Sequence, residues 1–175
     1  NFGIVYGISD YGLARDLGIS RKEAKNYIEQ YFSRYKGVQL YIENTISQAR
    51  ENGFVATMLN RRRYLPDLFS PNKQIRAFGE RTAMNTPIQG TAADIIKLAM
   101  VKCNYALTEE KLSAAMLLQV HDELIFEVAK AELMSAAETI VYCMENALEL
   151  AVPLNVESKA GPNWYELETI ILREG

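Results

Sequence analysis

LLQVHDELIFEV, residues 117–128, decides how the rest of the chain is read. Apolar residues fill both ends, and the only histidine, His121, stands in the middle beside Asp122 and Glu123. Strand side chains alternate between faces, so ionisable groups at the centre of a buried run are costly. The cost falls if the chain reverses there. AMLLQVHDELIFEV is therefore expected to form two strands joined by a tight turn at His121-Asp122. Asp122 and Glu123 would then project from a sheet edge. Two carboxylates so close repel unless a proton or a cation lies between them. Mg²⁺ takes oxygen ligands and keeps water and phosphates in its shell, so it suits such a turn. A polar turn with two solvated acids fits the residues as well, and spacing names no further ligand.

Outward from this hairpin the pattern is mostly helical. NFGIVYG reads as the last turns of a helix closed by Gly7. A short helix is expected near 10–17. Ser20-Arg-Lys-Glu23 is a capping box opening a helix to about Tyr35, with Ile28, Tyr31, Phe32 and Tyr35 on one face. Gly37 should break the chain, and a second helix, about 38–51, should stop at Asn52-Gly53. FVATMLNRRRYL suggests a short hairpin near 54–65. Pro66 and Pro71 bracket a loop, and Ser70-Pro71 should open a helix over about 71–85. Pro87 and Gly90 should interrupt it, with a further helix starting near Gly90. After the hairpin come a helix at about 130–150, a third strand in PLNVESKAG, and WYELE near the terminus. The fold class is α+β, mostly helical with a small antiparallel sheet and a seam near 66–71.

Composition sets bounds on this picture. The chain has 175 residues, 49% of them hydrophobic and 23% charged, as in ordinary globular proteins. No apolar run approaches membrane-span length, so no membrane partner is expected. Cys103 and Cys143 lie in apolar helical patterns without zinc spacing and read as reduced core residues, which fits a reducing cytosol. The chain lacks an initiator Met and a signal-like segment, so it is expected to be a piece of something longer. Net charge is −3. Residues 1–121 hold 16 Lys+Arg against 11 Asp+Glu, whereas residues 122–175 hold 3 against 11. A basic front and an acidic back permit a local phosphate-binding face, and also describe two solvated faces.

Four stretches, in order, resemble motifs of family A DNA polymerases, the bacterial DNA polymerase I family. QVHDELIFE is similar to the third catalytic motif. NFGIVYG is similar to the end of the nucleotide-binding fingers helix. RRRYLPDL and ERTAMNTPIQGTAADIIK fall between them. The resemblance covers the chain from Asn1 to about Trp164-Tyr165. It implies a right-hand polymerase, with 1–70 a fingers part and 71–175 a palm part carrying the His-Asp-Glu hairpin. It also implies a cytoplasmic, nucleoid-associated bacterial protein.

The implied roles follow position by position. Asp122 and Glu123 would be catalytic and metal-binding, holding two Mg²⁺ ions together with an aspartate of the first motif, which is expected upstream of Asn1. The Arg and Lys that precede the FGxxYG part in the family are likewise expected upstream. Phe2, Tyr6 and Gly7 would face the incoming deoxynucleoside triphosphate; an aromatic suits this because every base offers a π-face. Phe rather than Tyr at position 2 resembles members that discriminate against dideoxynucleotides. Arg81, Asn85, Gln89 and His121 would contact primer–template DNA near the growing end. Minor-groove acceptors lie at similar places on every base pair, so donors there check shape without reading sequence. Read without the family, Phe2 and Tyr6 are a packed helix-end pair, Arg81 and Asn85 are helix-surface groups, and His121 is structural.

Arg61, Arg62 and Arg63 form the densest basic run, read either as phosphate contacts or as a solvated hairpin. Lys22, Lys25, Arg34 and Lys36 read as helix surface. Glu132, Glu138, Glu145 and Glu149 read as a solvated face, and Trp164 and Tyr165 as a packed anchor. Three functions are open at this point. The first is the C-terminal part of a template-directed DNA polymerase, incomplete and inactive without its upstream portion. The second is a non-catalytic primer–template-binding fragment or split subunit. The third is a metal-dependent hydrolase using Asp122 and Glu123.

Overall fold

A computed structural model describes residues 2–172; Asn1, which opens the NFGIVYG stretch, lies outside them. Two compact units divide the chain, Asn1–Thr91 and Ala92–Gly175. The division falls at Thr91, beyond the seam expected at 66–71. As expected, the fold is α+β and mostly helical. It holds three separate two-stranded antiparallel sheets among the described residues, rather than one.

In the first unit, α1 (Phe2–Val5) ends at Gly7, whose φ of 80° and N–H bond to the Ile4 carbonyl make it the expected stop. Helix α2 (Asp10–Leu17) is capped by Ser9. Helix α3 (Arg21–Arg34) carries the full capping box between Ser20 and Glu23. Helix α4 (Lys36–Asn52) begins one residue after Tyr35, whose φ of −112° and ψ of 60° make the break. Gly37 therefore lies inside the first turn of α4 and does not interrupt the chain. Gly53 closes α4 in the left-handed region. The expected hairpin follows as β1 (Phe54–Ala56) and β2 (Arg62–Tyr64). The bracketed loop is a 3₁₀ turn, Pro66–Phe69.

Helix α5 runs from Lys73 to Glu109 without a break, with Pro87 inside it. Two expectations are corrected here. The opening cap is Asn72, not Ser70: its Oδ1 accepts from the Gln74 N–H at 2.8 Å, while Ser70 Oγ accepts from the Asn72 N–H at 3.2 Å. Nor do Pro87 and Gly90 divide the helix. Proline removes one N–H from the ladder without ending it. Gly90 serves close approach, because a methyl group there would stand 2.6 Å from Thr57 Cγ2. Met58 N–H also donates to Thr91 Oγ1 at 3.1 Å. The β1–β2 hairpin is thereby fixed to α5, over a core of Ala49, Val55, Leu65, Leu68 and Ala83.

In the second unit, β3 (Ala115–Val120) and β4 (Glu123–Glu127) form the expected hairpin, with a bulge between Met116 and Leu118. Its strands are not wholly buried as the apolar run suggested: Leu117 and Leu118 are exposed. A 3₁₀ turn, Lys130–Glu132, leads to α6 (Leu133–Glu145), which ends earlier than expected where Asn146 Nδ2 bonds the Tyr142 carbonyl. Two of the acids read as solvated hold loops instead: Glu132 accepts from the Ser113 N–H and Glu145 from the Val156 N–H. The third-strand region contributes only β5 (Lys159–Ala160), paired with β6 (Glu168–Thr169) and not with β3–β4. Trp164 and Tyr165 are exposed, Tyr165 at 95%, so they are no packed anchor among the described residues. Cys103 and Cys143 are free and buried, between α5 and α6. Burial pushes the Cys103 thiol up to about 12. No described helix is long and apolar enough to cross a membrane.

Candidate nucleic-acid interface and acidic hairpin

The first unit gathers four of the expected contact residues around one cleft of about 260 Å³. Tyr6, Arg81, Asn85 and Gln89 line it, together with Arg63 and Thr86. The spacing of Arg81, Asn85 and Gln89 explains part of this. Residues four apart lie above one another on a helix, and α5 stays helical through Pro87, so all three face the same side. Tyr6 arrives from the other wall, where its N–H bonds the Phe2 carbonyl at 3.0 Å just before Gly7 turns the chain. Phe2 is 82% exposed and does not line the cleft.

The arginine run is now resolved into separate places. Arg62 stacks over the Phe54 ring at 4.6 Å, and Phe54 meets Tyr64 edge-on at 5.6 Å. Arg63, on the opposite face of β2, turns toward α5. Its Nη1 lies 3.4 Å from Thr86 Oγ1, which brings the guanidinium to the cleft. Sequence reading left the three arginines equivalent. The period-two alternation of a strand was the available signal, since it puts Arg62 with Tyr64 and Arg63 apart. With Phe78 and Thr82 also in its lining, the cleft offers two guanidinium forks, two carboxamides, the hydroxyls of Tyr6, Thr82 and Thr86, and the rings of Tyr6 and Phe78. That is a donor-rich surface suited to phosphate oxygens and to groove acceptors.

The second unit carries the other expected residues at the tip of the β3–β4 hairpin. Val120 pairs with Glu123, leaving His121 and Asp122 as a two-residue loop. His121 has a φ of 53°, the left-handed region, and its carbonyl accepts from Gln119 Nε2 at 2.6 Å. His121, Asp122 and Glu123 are all exposed. Two adjacent carboxylates are hard oxygen donors of the kind Mg²⁺ takes. Among the described residues no third His, Cys, Asp or Glu joins them to form a three-ligand group. The tip therefore fits Mg²⁺ as part of a coordination shell and not as a complete cage.

The mostly helical architecture agrees with the expected fold, and the chain belongs to DNA polymerase family A, whose family model matches residues 1–166. Within that family it is similar to the bacterial DNA polymerase I enzymes. It is 55% identical over 166 residues to DNA polymerase I of Geobacillus stearothermophilus, covering 95% of this chain and 19% of that protein. It is 54% identical over 166 residues to DNA polymerase I of Bacillus subtilis, again covering 95% and 19%. Among solved structures, the POL domain of Pol1 from M. smegmatis, in complex with DNA primer-template and dNTP, matches with a TM-score of 0.85 and 49% identity. That match covers 88% of this chain and 27% of the other. The chain thus spans about a fifth of the length of the curated relatives it matches.

Proposed function

We propose that these residues form the distal fingers (1–70) and C-terminal palm (71–175) of a template-directed DNA polymerase. It would add deoxynucleotides to a primer 3′ end. The observation that carries this reading is the cleft that joins Tyr6 to Arg81, Asn85 and Gln89. Residues as far as 83 positions apart in sequence, Tyr6 and Gln89, converge there with the chemistry a copying enzyme needs. The aromatic ring of Tyr6 stacks on the nascent base pair, whose π-face is present whatever the base. Asn85 and Gln89 donate to minor-groove acceptors common to all base pairs, and so test pair shape. Arg81 and Arg63 hold the strands through phosphate or groove oxygens. Phe2 and Gly7 complete the nucleotide side, and His121 donates to the primer terminus.

Asp122 and Glu123 would hold Mg²⁺, sharing two ions with an aspartate supplied from outside these residues. The chemistry supplied to Asp122 and Glu123 by such a metal pair would be activation of the primer hydroxyl and stabilisation of the leaving pyrophosphate. The two carboxylates at an exposed tip leave room for that further ligand, for water and for the triphosphate. With two carboxylates and no third ligand among the described residues, this chain by itself would be inactive.

The test is primer extension by a polymerase chain that contains this segment, with Mg²⁺ and all four deoxynucleotides. Asp122→Ala should abolish extension while leaving primer–template affinity in place. Tyr6→Ala should weaken nucleotide selection more than DNA binding in single-turnover incorporation. Undiminished extension by Asp122→Ala would remove the basis of this assignment.

A further inference from the structure

Resting on the polymerase reading above, we infer that Met84 is a positioning residue for nucleotide selection: it seats the Tyr6-Gly7 segment and so sets where the Tyr6 ring stands in the cleft. Nothing in the sequence singles Met84 out, since it reads as one more apolar residue of α5. The geometry does. A methyl group on Gly7 would run into Met84 Cε and stand 3.2 Å from Arg81 Cγ. The bare Cα face of Gly7 is therefore covered by the tip of Met84 on one side and the stem of Arg81 on the other. Gly7 has a φ of 80°, so the turn that follows Tyr6 has a backbone that favours glycine, and the tip of Met84 packs against its bare face.

Val5 and Tyr6 face two different spaces. On one side is the polar cleft of Tyr6, Arg81, Asn85 and Gln89. On the other is an apolar cavity of about 280 Å³, lined by Val5, Val38, Tyr41, Ile42, Met84 and Ile88. Val5 looks into the cavity that Met84 lines and Tyr6 into the cleft, so Met84 packs on the cavity side of the segment that carries the Tyr6 ring. Met84 itself is buried, at 8% exposure. An unbranched thioether fills such irregular gaps well. Shortening it would join the empty volume beneath Gly7 to the existing cavity, and the Tyr6-Gly7 segment would lose its floor. A Tyr6 ring displaced from its stack loses contact with the nucleotide's base, which weakens nucleotide binding by about tenfold where base–aromatic stacking is at stake. The residue touches no reacting atom; its effect passes through Tyr6.

The experiment is Met84→Ala in a polymerase chain containing this segment, followed by single-turnover incorporation of correct and mismatched nucleotides and by titration of primer–template. The expected result is a rise of about tenfold in KM for the correct nucleotide, with loss of discrimination, while kcat and DNA affinity stay within about twofold. Met84→Leu, which conserves volume, should restore both. If Met84→Ala does not fold, Met84→Val reads the same split at smaller amplitude. A lowered melting temperature with unchanged KM and discrimination in a folded variant would overturn the inference and make Met84 a plain core residue. Equal losses of nucleotide and DNA binding would overturn it too. Persistence of extension in Asp122→Ala, run in parallel, would instead sink the polymerase reading on which this rests.

Discussion

Gly79→Ala should destabilise the first unit, although glycine to alanine inside a helix ordinarily does the reverse. Position 79 lies well within α5, where alanine is favoured over glycine by about 1 kcal/mol. The added Cβ, however, would stand 2.9 Å from the Leu68 backbone nitrogen and 3.1 Å from the Asp67 carbonyl carbon and Cβ. These atoms belong to the 3₁₀ turn of Pro66–Phe69, not to the free end of a flexible side chain. Leu68 is at 3% exposure and packs in the core cluster with Leu65 and Ala83, so the turn cannot simply step aside. Overpacking of this kind costs about 1–3 kcal/mol. Set against the propensity gain, the net is a loss of about 1 kcal/mol. Gly37→Ala is the control. It too is helical, in the first turn of α4, but nothing lies within 4 Å of its Cβ position. There the propensity gain should stand alone, at about 0.5–1 kcal/mol. The two variants should thus differ by about 4–8 °C in melting temperature for a chain of this size, in opposite directions from the parent. Thermal and urea unfolding of both, with similar m-values, gives the answer. If Gly79→Ala is as stabilising as Gly37→Ala, the 66–69 turn does not rest on α5 as described, and the argument for close approach fails.

Arg63→Ala should weaken primer–template binding and, if its partner is a phosphate, flatten the slope of log affinity against log salt by about 1. Arg62→Ala should leave that slope alone and cost the hairpin about 0.5–1 kcal/mol through loss of its contact with Phe54; the opposite pattern in DNA titrations would reverse the assignment. Hydrogen bonding from Arg21 holds the Asp10 carboxyl below its usual range, and the Ser20 hydroxyl and N–H do the same for Glu23. Because these folded values are depressed, the stability they lend is present above the ordinary carboxylate range and lost as pH falls through the folded values. Melting of the α2–α3 region should therefore weaken on the acid side, and Arg21→Gln with Glu23→Gln should flatten that limb; an unchanged acid limb would contradict it. Burial first, and then the neighbouring Cys143, raise the Cys103 thiol, so iodoacetamide at neutral pH should leave Cys103 unmodified until the chain unfolds. Rapid labelling of the folded protein would show that the α5–α6 packing is looser than described.

What the sequence made legible was mostly local. The Ser20/Glu23 capping box, the left-handed Gly53 and the reversal at His121-Asp122 each depend on residues a few positions apart, and each is found as read. The misread points depend on distant partners. Gly90 looked like a helix stop because its partner, Thr57, lies far away in sequence. Pro87 looked like a break because its single lost N–H gives no hint of the tertiary contacts that keep α5 continuous. Trp164 and Tyr165 looked like an anchor because large aromatics usually pack, and here they do not. In the cleft, the i, i+4, i+8 spacing of Arg81, Asn85 and Gln89 was visible, but Arg63 was not separable from Arg61 and Arg62. Met84 carried no signal at all, since its importance comes from what Gly7 lacks.

His121 holds a left-handed backbone that glycine would adopt at less cost. Thermal selection on this hairpin would therefore favour His121→Gly, and every generation of such a screen would report progress. The same exchange deletes the imidazole beside Asp122. Tolerance to heat and retention of the tip's chemistry pull on this one codon in opposite senses, so a library sorted for ruggedness should be counter-sorted at position 121 before anything else.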